Sequence, residues 1–139
     1  MQIKEVMSTD FKIIKPSTTF REAAELMKEN ECGYLPVGKD DKLTGAVTDR
    51  DIIVRGIAAG LNPDNTAVDS VMTQKIQYCF ENDDVEDAAE RMKKEQIRRL
   101  VVLNDEKRMT GVVTLGDIAR TCNDKNLTGD IECQVAKAH

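Results

Sequence analysis

The sequence predicts an α/β fold, α+β in its layering, made of two tandem β-α-β-β-α repeats packed through their sheets with pseudo-two-fold symmetry. Three observations predict it. "GAVTDRD" at 45–51 returns as "GVVTLGD" at 111–117: glycine, two apolar residues, threonine, two variable residues, aspartate. A shift of 65 residues lays "VMSTDFKIIKPSTTFREAAELMKEN" at 6–30 over "VMTQKIQYCFENDDVEDAAERMKKE" at 71–95. Within each copy, short β-type runs alternate with apolar stripes at helical spacing. One residue is inserted near Arg108, after which Gly45, Val47, Thr48, Asp51 and Ile52 meet Gly111, Val113, Thr114, Asp117 and Ile118.

The elements follow in order. "FKII" and "IQYCF" are short strand candidates. "TTFREAAELMKEN" opens on Thr19-x-x-Glu22, a capping-box pattern. Phe20, Ala23, Ala24 and Met27 then mark one helical face, repeated by Val85, Ala88, Ala89 and Met92. "YLPVG" and "LVVLN" read as strands. The polar turns "KDDK" and "NDEKR" lead into the strands "LTGAVT" and "MTGVVT". A second helix starts near Asp49 and runs through "DIIVRGIAAG"; its partner is "GDIARTC". In "GLNPDNT", Gly60 is a C-cap candidate and Pro63 a stop. Repeat 1 is therefore expected at 1–60, a linker at 61–70, repeat 2 at 71–122 and a polar tail at 123–139. A repeat of about 48 residues is marginal alone, so the two are expected to share a core.

Composition narrows the function. The 139 residues carry 20 basic and 25 acidic side chains, a net charge of -5. That balance disfavours a duplex-binding face, because phosphate neutralisation supplies most of such affinity. Mean hydropathy is -0.44, with no long apolar run and no apolar leader core, so a cytoplasmic location without membrane association is expected. The one histidine is His139, which leaves no internal imidazole for general-base work, and no enzyme activity is expected. Cys32, Cys79, Cys122 and Cys133 show no C-x-x-C spacing. They read as reduced thiols, with a Cys122–Cys133 redox pair as a second option, and no metal site is expected.

Thr48-x-x-Asp51 and Thr114-x-x-Asp117 carry the chemistry. Each threonine ends a strand and each aspartate falls in the first turn of a helix. Helix N-termini attract phosphate, and a carboxylate offers two acceptor oxygens to the two hydroxyls of a ribose. Gly45 and Gly111 would admit a bulky ligand or a neighbouring strand. The same pattern is also close to a capping box and can serve simply to start a helix; both roles can coexist.

The ordered whole, twice over, resembles a tandem pair of CBS domains, the Bateman module, over residues 1 to about 122. "TDRDI" and "GIAAGLNP" are most similar to stand-alone bacterial CBS pairs of the stress- and hypoxia-response type. The resemblance implies a regulatory, non-catalytic module. It would bind AMP, ADP or ATP, with S-adenosylmethionine or NAD as further options, in clefts between the repeats. It assigns ribose and phosphate to Thr48, Asp51, Thr114 and Asp117. Base contacts would fall to Thr9, Phe11, Tyr34, Leu35 and Pro36 in copy one, and to Lys75, Ile76 and Leu100 in copy two. Arg99, supported by Arg98, would take phosphate through a forked guanidinium; a solvated basic pair is the competing reading. Arg50, where copy two has Gly116, reads as an exposed helix residue.

A homodimer is expected, with the apolar faces of "DIIVRGIAAG" and "DIARTC" as contact surfaces unless the monomer buries them. The output would pass to an effector protein in trans. Three alternatives remain at this level: an interaction scaffold with vestigial clefts, a nucleic-acid binder, and a nucleotide-processing enzyme using Asp51 or Asp117.

Overall fold

The computed structural model describes residues 1–121. The tail 123–139 and the Cys122–Cys133 option lie outside them. The chain divides into two compact units. The continuous unit is Lys12–Ile76; the split unit joins Met1–Phe11 to the chain from Gln77 onward. The units therefore cut the chain at different places from the sequence repeats. A cluster of buried apolar residues lies in each unit.

In the continuous unit, helix α1 spans Phe20–Glu29. The expected capping box closes: the Glu22 N–H donates to Thr19 Oγ1 at 3.2 Å, and the Thr19 N–H donates to Glu22 Oε1 at 3.1 Å. The Thr19 N–H holds the Glu22 carboxyl below its usual range, as a hydrogen bond to the charged form must. Phe20, Ala23 and Met27 are buried, whereas Ala24 is exposed. Strands β1 (Tyr34–Lys39) and β2 (Lys42–Thr48) pair antiparallel from Tyr34↔Thr48 to Lys39↔Lys42. The two-residue loop has Asp40 and Asp41 at φ 53 and 65, the positive values a tight hairpin turn requires.

"FKII" forms no strand. Ile14 alone bridges Val37, its N–H donating to Pro36 O at 3.0 Å and its carbonyl accepting from Gly38 at 2.9 Å. The next ladder position is Pro16, which has no N–H to donate.

The second helix of this unit is a π-helix over Asp51–Ile57. Its wide turns show in Ala58 N–H to Ile53 O at 2.9 Å and Leu61 N–H to Gly56 O at 3.2 Å. It buries Ile52 and Gly56. Gly56 backs onto Phe20: a Cβ there would stand 2.6 Å from Cε2 of the ring. Segment 61–70 belongs to the fold as well. Val68 is fully buried, the Val68 N–H donates to Thr18 O at 2.8 Å, and the Phe20 N–H donates to Thr66 O at 3.0 Å.

In the split unit, β3 (Tyr78–Phe80), β4 (Arg99–Leu103) and β5 (Met109–Thr114) form a sheet in that order, β3–β4 parallel and β4–β5 antiparallel. Glu81, the counterpart of Pro16, donates its N–H to Leu103 O at 2.9 Å, so the ladder runs on. Helix α2 spans Val85–Glu95, capped by the Asp84 carboxylate accepting from Glu86 N–H at 3.0 Å. It ends on Gln96 at φ 55, as α1 is followed by Glu31 at φ 50. Helix α3 spans Leu115–Thr121. Into this core Met1–Phe11 sends Ile3 and Val6. Ile3 N–H donates to Asp83 O and Lys4 N–H to Glu81 O, both at 2.9 Å.

Candidate functional site

Each unit carries one Thr-x-x-Asp turn where its last strand passes into its last helix. In the continuous unit, Thr48 N–H donates to Asp51 Oδ2 and Asp51 N–H donates to Thr48 Oγ1, both at 3.0 Å. In the split unit, Thr114 N–H donates to Asp117 Oδ2 at 2.9 Å and Asp117 N–H to Thr114 Oγ1 at 3.0 Å. The pattern closes as a reciprocal cap in both units. The aspartate side chains are only 16% and 12% exposed. The cap uses Oδ2. Oδ1 of Asp51 lies 3.9 Å from the Arg55 guanidinium, and Oδ1 of Asp117 pairs with Arg120. Each turn is thus a fixed carboxylate where a strand passes into a helix, with its outer oxygen beside an exposed arginine.

The backbone around the two turns superposes in its bonding. Tyr34 pairs with Thr48, and Arg99 with Thr114. Asp49 N–H donates to Gly33 O at 3.0 Å, and Leu115 N–H to Arg98 O at 2.8 Å. The side chains differ. The split unit presents exposed Arg98 and Arg99. The continuous unit has Gly33, over which the Asp49 carboxylate sits so closely that a Cβ would meet it at 2.7 Å. Arg50 is exposed, its N–H donating to Asp49 Oδ1 at 2.8 Å.

Gly45 and Gly111 admit chain rather than ligand. A Cβ on Gly45 would stand 2.7 Å from Thr73 O, and one on Gly111 would stand 2.8 Å from Ser8 O. Ala46 and Thr73 bridge, as do Ser8 and Val112. Each copy's Val-Met-Ser/Thr segment therefore completes the sheet edge of the other copy's Gly-h-h-Thr strand.

This edge pairing regroups the expected base contacts. Thr9, exposed, and Phe11, half-buried, fall in the split unit with Arg98, Arg99, Leu100, Thr114 and Asp117. Lys75, exposed, and Ile76, half-buried, fall in the continuous unit with Tyr34, Leu35, Pro36, Thr48 and Asp51. Leu35 and Leu100 are 2% and 0% exposed, with their side chains in the two cores. Pro36 is buried and Tyr34 half-buried. Sequence reasoning passed over Arg55 and Arg120. Their signal was an acid followed by arginine at i+4 and i+3 on a helix.

The CBS-domain family model matches residues 3–56 and 68–124. The chain belongs to the CBS-domain family, as a tandem pair. Hypoxic response protein 1 of Mycobacterium tuberculosis is 36% identical over 118 residues, covering 84% of this chain and 82% of that protein. A crystal structure of hypoxic response protein I with two coordinated zinc ions matches at TM-score 0.76 and 34% identity, over 86% of this chain and 98% of the other. Among the described residues here, no three metal-ligating side chains cluster.

Two further CBS pairs were solved with adenosine-containing ligands. MJ0100 with 5′-methylthioadenosine and S-adenosyl-L-methionine matches at TM-score 0.73 and 26% identity, over 86% of this chain and 98% of the other. CBSX2 with AMP matches at 0.74 and 26%, over 86% and 93%. The CBS pair is a regulatory ligand-binding module. No helix among the described residues is long and apolar enough to cross a membrane.

Proposed function

We propose that this CBS pair is a non-catalytic cytoplasmic sensor of adenosine-containing ligands, AMP, ADP or ATP foremost. It would work as a homodimer and signal to an effector protein in trans through a change of conformation or dimer arrangement. The observation that carries the reading is the twice-built acceptor. A mostly buried carboxylate is pinned through Oδ2 by a backbone N–H, and Oδ1 lies beside an exposed arginine of the following helix. Fixed acceptor geometry of this kind suits the vicinal hydroxyls of a ribose.

The ribose is assigned to Thr48 and Asp51 in the continuous unit and to Thr114 and Asp117 in the split unit. Arg98 and Arg99 take phosphate in the split unit. The base is assigned to Tyr34, Pro36 and Ile76 in one unit and to Thr9 and Phe11 in the other, with the backbones of Leu35 and Leu100 beside it. The ligand shifts the module's equilibrium only to the extent that it binds one state better than another.

Thermal unfolding with AMP, ADP, ATP, NAD and S-adenosylmethionine tests the reading. At a hundredfold excess over Kd, a true ligand stabilises by about 2.7 kcal/mol. Asp51→Ala or Asp117→Ala should abolish that gain at its own unit while costing only about 1 kcal/mol of cap stability. A folded chain that gains nothing from any of the five is an interaction scaffold.

A further inference from the structure

The backbone bonds around the two Thr-x-x-Asp turns coincide, so the charges on them can be compared position by position. In the split unit, the Arg98 carbonyl accepts from Leu115 N–H at 2.8 Å, and Arg99 stands opposite Thr114 in the ladder. Both side chains are exposed, and Arg120 pairs with Asp117. In the continuous unit the same two positions are Gly33, whose carbonyl accepts from Asp49 N–H at 3.0 Å, and Tyr34, opposite Thr48. A Cβ on Gly33 would stand 2.7 Å from Asp49 Oδ2. The space through which the Arg98 side chain leaves the backbone is therefore held here by a carboxylate. Asp49 is exposed and lines, with Ala24, Met27, Cys32 and Ile52, a cleft of about 350 Å³. Its counterpart Leu115 lies in the split unit's core, and Ile97, the counterpart of Cys32, packs on that core.

At the split unit's turn, Arg98, Arg99 and Arg120 thus accompany one aspartate, Asp117. At the continuous unit's turn, Arg50 and Arg55 are matched by Asp49 and Asp51: Arg50 N–H donates to Asp49 Oδ1 at 2.8 Å, and the Arg55 guanidinium lies 3.9 Å from Asp51. The antiparallel bridges Ser8–Val112 and Ala46–Thr73 carry Asp10 and Lys75 away from the turns, so neither alters this balance. Local charge, more than the net charge of -5, sets the potential that an anion meets. We propose, resting on the adenosine reading above, that the two units divide their ligands by charge. The split unit takes a phosphorylated adenosine. The continuous unit takes an adenosine whose 5′ substituent carries no anionic charge, such as a thioether. Arg99 sets the choice, because its guanidinium offers phosphate a forked set of charged donors. Tyr34, at the same register position, offers one neutral hydroxyl. A phosphate in the continuous unit would also meet Asp49 beside Asp51, and like charges brought together select against a ligand as firmly as matched ones select for it.

Calorimetric titration of the full chain with AMP and with 5′-methylthioadenosine, wild type beside Asp51→Ala and Asp117→Ala, tests the division. The expected result is one site per chain for each ligand. AMP binding should be lost in Asp117→Ala, and 5′-methylthioadenosine binding in Asp51→Ala. Arg99→Tyr should weaken AMP about tenfold or more, the scale of a hydrogen bond to a charged group. Tyr34→Arg combined with Asp49→Leu installs the split unit's residues and should give the chain a second AMP site. Two AMP sites in the wild type, AMP binding lost in Asp51→Ala, or no site for 5′-methylthioadenosine overturns the division and leaves the adenosine reading standing. An Arg99→Tyr chain that keeps its AMP affinity overturns the role of Arg99. A folded wild type that binds neither ligand overturns the division and the adenosine reading together.

Discussion

The continuous unit and the split unit are written from one repeat, share a capped first helix, a hairpin and a capped Thr-x-x-Asp turn, and still differ in kind. The split unit has a three-stranded sheet and an α-helix after the motif. The continuous unit has a two-stranded sheet, bridged by Ile14 at β1 and by Thr73 at β2, and a π-helix. The differences trace to single residues. Pro16 in place of Glu81 removes the N–H that would lengthen the third strand. Gly56 set against Phe20 goes with the wide helix. Cys32 and Asp49 in place of Ile97 and Leu115 open a cleft. The motif turn survives all of this because its bonds are local: two hydrogen bonds between residues three apart need no particular sheet behind them. The fold can therefore diverge around the candidate site without moving it.

The largest expected effect comes from the crossed segments. Ile3→Ala should cost about 2–5 kcal/mol, the usual price of truncating a fully buried aliphatic side chain. The loss should appear in the split unit, as faster hydrogen exchange at 99–103, although Ile3 belongs to the first sequence repeat. Val68→Ala should do the converse, exposing 34–37 in the continuous unit. The opposite assignment of exchange would mean that each repeat folds on its own segment.

Much of this was legible in the sequence. The Thr19–Glu22 box, the two helical stripes and the hairpins were readable because each is fixed by residues within a few positions of one another. The Thr-x-x-Asp turn was readable as a helix cap for the same reason. The exchange of edge segments was not, since Ser8–Val112 and Ala46–Thr73 are long-range pairings. Gly45 and Gly111 were the available clue, and they pointed equally to a ligand. Pro16 was a visible reason to shorten "FKII". The π-helix was hidden because Asp49–Gly60 reads equally well as an α-helical stripe.

A smaller effect sharpens the helix comparison. Gly56→Ala should destabilise by about 1–3 kcal/mol, since the new methyl has no room against the Phe20 ring. Phe20→Val, which installs the split unit's residue, should cost stability alone yet recover much of the Gly56→Ala loss. A double-mutant cycle by urea unfolding measures that coupling, and additive losses would show that the ring and the helix width are unrelated.

The smallest effect separates two cysteines at non-equivalent places. Cys32, half-buried at the continuous unit's cleft, should react with a thiol reagent in the native protein near pH 8. Cys79 lies in the split unit's core, where burial first, and Asp83 second, push its thiol up to about 12, with Arg91 opposing. The folded state holds this proton after the unfolded chain, titrating near 9.0, has released it. The stability Cys79 contributes is therefore whole below pH 9.0 and erodes as pH rises through about 12, by at most about 1.4 kcal/mol for each pH unit. Cys79→Ala lacks this proton, so its deficit relative to wild type should shrink between pH 8 and pH 10.5, roughly tracking the linkage slope. Urea unfolding of both proteins at the two pH values measures the deficit. A constant deficit, or rapid labelling of native Cys79 beside Cys32, would mean that the split unit's core opens to solvent as readily as the continuous unit's cleft.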